Sequence, residues 1–177
     1  NLTIDPTWDN DSTDGLWSTP ANWVGDVVPT STDTVTFDAT SGTNVTIDNV
    51  DTWSGGDFIM DAGYTGTITL GTNITVGTIT LTGGTLDASN RTITVNTAWN
   101  QGGATFTSGT GTVIFATNRD QTISNSGILT FYNLSKTTLS GRSDQLNFGG
   151  STITVTNDLV LTGVGGYLLA LTNGSID

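Results

Sequence analysis

The stretch Thr67-Ile68-Thr69-Leu70-Gly71-Thr72-Asn73-Ile74-Thr75-Val76-Gly77-Thr78-Ile79-Thr80-Leu81 decides the fold. Aliphatic residues alternate with Thr in three short runs, the period-2 pattern of a strand with one dry and one wet face. The same tetrad returns at Thr92-Ile93-Thr94-Val95 and Thr152-Ile153-Thr154-Val155, with related runs at Thr105-Phe106-Thr107, Thr112-Val113-Ile114-Phe115, Gln121-Thr122-Ile123 and Leu129-Thr130-Phe131. Between the runs sit Gly83-Gly84, Asp87-Ala88-Ser89-Asn90, Ser108-Gly109-Thr110-Gly111, Asn125-Ser126-Gly127 and Gly149-Gly150, each with a residue that tolerates positive φ. Strand runs therefore recur about every 8 to 14 residues.

Two all-β architectures fit short strands at this spacing. A β-sandwich (jelly-roll-like) needs hairpins, and Asn173-Gly174 is the one clean hairpin dipeptide in this body. A β-solenoid needs quasi-identical rungs that stack with like residues in register, which the Thr-Ile-Thr repetition supplies. The expected fold is a right-handed parallel β-helix (β-solenoid) with an irregular N-terminal cap, the sandwich being the alternative. Its interior is expected to be lined by Ile68, Leu70, Ile74, Val76, Ile79, Leu81, Leu86, Ile93, Val95, Phe106, Val113, Phe115, Ile123, Leu129, Phe131, Leu134, Ile153, Val155, Leu159 and Leu161.

Working outward, the first third of the chain differs from the rest. Trp8, Trp17, Trp23 and Trp53 and all three prolines (Pro6, Pro20, Pro29) precede residue 54, and most of the Asp residues accompany them. The division is a Trp- and Asp-rich cap with the first strands over 1–65 and a solenoid body over 66–177. The cap indoles could form a stacking platform for surface glycans. The competing role is an apolar lid, which a solenoid end requires.

Composition bounds the chemistry. The 177 residues contain no Cys and no His, which removes Ser-His-Asp and Cys-His catalysis and the usual zinc sites. Every one of the 16 acids is Asp, against 4 Lys and Arg, for a net charge of −12. That balance argues against nucleic acid as a partner. No apolar run is long enough for a membrane-spanning helix. The first residue is Asn1, with no initiator Met or basic and apolar leader, so the chain is expected to be a mature secreted polypeptide or an excised fragment.

The run Gly102-Gly103-Ala104-Thr105-Phe106-Thr107-Ser108-Gly109-Thr110-Gly111-Thr112-Val113-Ile114-Phe115, followed by Gln121-Thr122-Ile123-Ser124 and Thr130-Phe131-Tyr132-Asn133-Leu134, resembles a repeat of large secreted bacterial surface proteins with parallel β-helix bodies. The segment Trp17 to Phe37, with Asn22-Trp23, Pro29, Asp33, Val35 and Phe37, similarly resembles the opening found ahead of such helices in autotransporter-like and filamentous-haemagglutinin-like adhesins. The resemblance implies an extracellular, cell-surface structural or adhesive role and supplies no catalytic residues. The chain is much shorter than those adhesins.

Three further expectations concern sites. Asn10, Asp11, Ser12 and Asp14 with Gly15 approximate the start of a calcium loop, although the expected twelfth ligand falls at Ala21; the plainer alternative is a solvated Asx turn. Asp48 with Asp51, or Asp57 with Asp61, could flank a glycosidic bond in a polysaccharide-cleaving β-helix, but the few cations are scattered. The alternative to a structural role is therefore a carbohydrate-binding module or such an enzyme. Finally, both ends are strand-like, and Leu2, Ile4, Leu169, Leu171 and Ile176 are the expected assembly residues. Through them the chain would stack head-to-tail with copies of itself as a filament or surface layer, or join the rest of a longer surface protein.

Overall fold

The computed structural model describes residues 5–31, 33–117, 119–138, 145–163, 170–172 and 175–176. After a short 3-10 turn at Pro20–Asn22 come β1 (Val35–Phe37), β2 (Val45–Ile47), β3 (Phe58–Met60), β4 (Thr67–Leu70), β5 (Ile74–Leu81), β6 (Thr85–Asp87) and β7 (Thr92–Gln101). They are followed by β8 (Thr105–Thr107), β9 (Thr112–Phe115), β10 (Gln121–Asn125), β11 (Ile128–Thr138), β12 (Gln145–Asn147), β13 (Thr152–Gly163), β14 (Ala170–Thr172) and β15 (Ser175–Ile176). Every pairing between these strands is parallel. The sandwich is thereby excluded, and the chain is a β-solenoid of about 6 turns.

Register shows how the repeats become coils. Val35 pairs with Phe58, Phe58 with Ile79, Ile79 with Trp99 and Trp99 with Ile123, so a turn takes 23 (35 to 58), 21 (58 to 79), 20 (79 to 99) and 24 (99 to 123) residues. A second face stacks Val45, Ile68, Leu86 and Phe106 in a 4-stranded sheet of β2, β4, β6 and β8. A third stacks Ile74, Ile93, Val113, Leu134 and Leu159. The first and third faces belong to one 11-stranded sheet, because the long strands bend around a corner rather than stopping there. In β5 the bend is a register shift between Val76 and Thr78. Gly77 stands at it, where a Cβ would lie 2.6 Å from Asp57 Oδ1. Such an irregularity lets one strand serve two faces.

Alternation then does the packing. Strand β4 buries Ile68 and Leu70, and β5 buries Ile74, Val76, Ile79 and Leu81, with the Thr residues between them partly exposed. Each fully buried aliphatic side chain contributes roughly 1.5–3 kcal/mol relative to exposure. Side-chain amides stitch coils at the strand starts: Thr67 N–H donates to Asn44 Oδ1 at 2.9 Å, and Thr92 N–H to Asn73 Oδ1 at 2.9 Å.

The expected interior needs four corrections. Phe106 and Val155 are only partly buried, and Leu159 and Leu161 are each 38% exposed. Phe106 lies on β8, where the four-stranded sheet ends; it packs at 4.8 Å from Trp99 and 5.8 Å from Phe131, ring centre to ring centre. Leu159 and Leu161 pair with Leu134 and Lys136 on one side, and among the described residues no strand covers the other. The first strands placed within 1–65 are β1, β2 and β3, which join the ladders, with Val35, Phe37, Val45, Ile47, Phe58 and Met60 all buried.

Turns stack as well as strands. Ser89 (φ 54) and Gly109 (φ 53) hold left-handed backbone in corresponding corners, and Thr110 N–H donates to Ser89 O at 2.8 Å. A Cβ on Gly109 would sit 1.9 Å from Ser89 O, so the corner admits only glycine. Gly109→Ala is expected to lower stability by about 2 kcal/mol or more in urea titration. Gly127→Ala, where a Cβ meets nothing within 4 Å, should stay near wild type.

Candidate functional site

The most elaborate local structure is the capped end. Its backbone lies along the first coil: Trp8 N–H donates to Thr36 O at 2.9 Å and Thr36 N–H to Pro6 O at 2.9 Å, while Trp17 N–H donates to Thr46 O at 3.0 Å and Thr46 N–H to Gly15 O at 2.8 Å. The cap thus occupies the outer edges of β1 and β2, satisfying groups that an end coil would leave open.

Above this frame the indoles pack on one another. Trp17 and Trp23 meet edge-to-face at 4.7 Å, Trp8 and Trp23 at 5.2 Å, and Trp17 lies 5.3 Å from Trp53. Phe37, the first inward aromatic of the coil, touches Trp8, Trp17 and Trp23 from below. Three indole N–H groups find acceptors: Trp23 donates to Trp17 O at 2.9 Å, Trp53 to Asp33 O at 2.9 Å, and Trp8 to Thr43 Oγ1 at 3.2 Å. Nearby, burial pushes the Tyr64 phenol above its ordinary range, and its hydroxyl donates to Thr43 O at 2.7 Å.

All four indoles are 0–1% exposed. The glycan-stacking platform of Trp8, Trp17, Trp23 and Trp53 is therefore corrected: a sugar ring needs an open aromatic face, and these faces are spent on each other and on Phe37.

The loop of Asn10, Asp11, Ser12 and Asp14 is organised around a residue that spacing did not single out as its hub. Asn22, fully buried, accepts at Oδ1 from Ser12 N–H (3.2 Å) and Ser12 Oγ–H (2.6 Å). Its Nδ2 donates to Asp14 Oδ1 (2.6 Å) and Leu16 O (2.9 Å). Asp14 Oδ1 also accepts from Leu16 N–H at 2.9 Å, and Oδ2 accepts from Thr19 Oγ1–H at 2.7 Å. Asn10 Oδ1 accepts from Gly15 N–H at 3.1 Å, and Asp9 Oδ1 from Asp11 N–H at 3.3 Å. The Asn10 and Asp14 side-chain oxygens thus accept from protein donors, and among the described residues no group of three or more His, Cys, Asp or Glu side chains converges.

These bonds explain why the Asp14 carboxyl is depressed. The Leu16 amide, then the Thr19 hydroxyl and the Asn22 amide, hold Asp14 down from 3.8 to about 2. A folded-state value below the unfolded one stabilises above about 3.8 and loses that contribution as pH falls toward 2. Side-chain carboxyl NMR should therefore show Asp14 titrating near pH 2, and in Asp14→Asn this acid-dependent loosening of the cap should vanish.

Of the carboxylates proposed for glycosidic chemistry, Asp48, Asp51 and Asp57 accept hydrogen bonds from the protein. Asp48 accepts from Ser18 at both oxygens, 3.0 Å from N–H and 2.6 Å from Oγ–H, and Asp57 Oδ1 accepts from Thr78 N–H at 2.7 Å. Asp51, beside a shallow cleft of about 200 Å³ with Ser18, Val28, Asn49 and Thr52, accepts from Asn49 Nδ2 at 3.1 Å.

Of the assembly residues, Leu2, Ile4 and Leu169 lie outside the described residues. Leu171 pairs with Leu146 and Ile176 with Ile153, adding a further rung to two ladders. Lys136, by contrast, is a buried residue that sequence reasoning missed; it is 0% exposed in the third face. No family model, curated protein or solved structure matches the chain, so its fold and local chemistry stand on their own.

Proposed function

We propose that the chain is a non-enzymatic structural segment of an extracellular surface protein, a short rod within a filament, surface layer or adhesin. The observation that carries this reading is a continuous apolar interior wound through about 6 turns and sealed at one end by buried indoles. Such an object holds shape and spans distance, and the resemblance of the Trp17–Phe37 segment and of the repeats to secreted bacterial adhesins supplies the setting.

The cap also bears on which partner the rod has. Pro6, Trp8, Gly15 and Trp17 already pair with β1 and β2. A strand from a second copy could add there only by displacing them. The opposite end presents Leu159, Val160 (47% exposed) and Leu161 on the later stretch of β13, which among the described residues pairs with β11 alone, β15 meeting only Thr152 and Ile153. The geometry favours joining to the rest of a longer surface protein at that end over strand pairing between copies at the capped end.

Immunolabelling of intact and lysed producing cells tests the proposal. Label on intact cells, lost after external protease, is expected; label confined to lysed cells contradicts it. A polysaccharide-cleavage assay adds a second arm: release of reducing ends that disappears in Asp48→Asn or Asp57→Asn would replace the structural role by an enzymatic one.

A further inference from the structure

The interior slot formed by Val76, Val95 and Phe115 continues in register through Lys136 to Leu161. A lysine is the least expected occupant of such a ladder, yet Lys136 is fully buried. Its ammonium is held at the corner between β9 and β10, donating to Thr117 O at 2.9 Å, Arg119 O at 3.3 Å and Gln121 Oε1 at 2.5 Å. Gln121, 1% exposed, donates through Nε2 to Val95 O at 2.8 Å. A polar chain thus runs from β11 through the corner and β10 to the end of a coil wound two turns earlier.

The sequence explains why such a chain matters. On β9 and β11 buried positions (Val113, Phe115; Leu134, Lys136) alternate with partly exposed ones (Thr112, Ile114; Asn133, Ser135), so sliding one strand by two positions against its neighbour keeps inward positions inward and outward positions outward. Burial alone therefore discriminates poorly between registers a two-residue step apart. We infer that Lys136 and Gln121 form a register lock, fixing β11 against β9 by a polar contact that only the native alignment satisfies. In the aligned state Leu134 lies beside Val113 and Lys136 beside Phe115. After a two-residue slip the ammonium leaves the carbonyls of Thr117 and Arg119 and enters an aliphatic slot, where an unpaired charge is costly. Buried polar groups that set alignment at some expense in stability are known from coiled coils.

The chain has no cysteine, so engineered pairs can count registers directly. Ser135 stands opposite Ile114 in the native register, whereas a two-residue slip would bring it opposite Thr112. Cysteine pairs Ser135→Cys/Ile114→Cys and Ser135→Cys/Thr112→Cys are oxidised in the wild-type background and in the apolar double variant Lys136→Met/Gln121→Leu. The inference expects the native pair alone to close in the wild-type background. In the apolar variant the slipped pair should gain about tenfold relative to the native one while strand content by circular dichroism is retained. An unchanged ratio in a folded apolar variant overturns the lock. So does loss of strand content with neither pair closing, since Lys136 and Gln121 would then serve stability rather than alignment.

Discussion

Trp99→Ala is expected to cost about 3–5 kcal/mol and to divide the rod into two unequally stable parts. Trp99 is fully buried at the centre of the first face, between Ile79 and Ile123 in register. Its ring lies 4.8 Å from Phe106 and 5.4 Å from Phe131, both edge-to-face. This aromatic triad fills the interior where β8 ends the four-stranded sheet, so it replaces backbone pairing as the link between coils on that side. In a solenoid each coil touches only its neighbours, and stability is a sum of coil and interface terms. Removing the ring where the four-stranded sheet ends at β8 should uncouple what lies on either side. Urea unfolding followed by hydrogen exchange should show β9–β11 losing protection before β1–β5. A single unchanged transition with a loss under about 1 kcal/mol would mean that the triad is not an interior packing site.

Trp23→Ala is expected to cost a similar amount, about 3–5 kcal/mol, but from one end. The ring contacts Trp8, Trp17 and Phe37, and its N–H donates to Trp17 O. Its removal exposes the top of Phe37 and leaves the buried carbonyl of Trp17 without that donor. The cap strands paired to Thr36 and Thr46 should then detach, and exchange should quicken first at Val35–Phe37 and Val45–Ile47 while β9 and β11 stay protected. Trp23→Phe should recover most of the packing and only part of the stability, because the hydrogen bond is still missing. Equal exchange throughout the rod would show that the cap and the body fold as one indivisible unit.

The alternation that specifies the coil was legible in the sequence because a buried face and a wet face impose a period of two, and Thr between aliphatics satisfies it at Thr67–Leu70, Ile74–Leu81 and Thr92–Val95. The corners were less so. Asn73–Val76 and Thr78–Leu81 read as separate runs, whereas a register shift at Gly77 lets the chain continue as one strand. Leu159 and Leu161 carry the interior pattern but remain exposed, since burial depends on a neighbouring coil and alternation reports only the strand's own two faces. Lys136 was invisible for the opposite reason: its type argues for the surface, and acceptors brought together by the corner, Thr117 O, Arg119 O and Gln121 Oε1 among them, make its burial tolerable.

The capped end was legible in outline. Clustered indoles at one end of a repeat body signal a lid, but their spacing says nothing about which faces remain open, and here none does. The spacing from Asn10 to Gly15 suggested oxygen ligands in a row. What the spacing did not include is the donors farther along: Leu16 N–H, Thr19 and Asn22 all reach the Asp14 carboxylate.

The parallel winding itself is most directly tested by a disulfide between Thr75→Cys and Thr94→Cys. These outward positions pair in neighbouring coils of β5 and β7, at a separation that suits the bond. Mild oxidation should close this pair rapidly within one molecule, without loss of stability, while Thr75→Cys with Thr107→Cys on another face stays reduced. Failure of the first pair to close in the folded protein, or closure of both at the same rate, would contradict the coil.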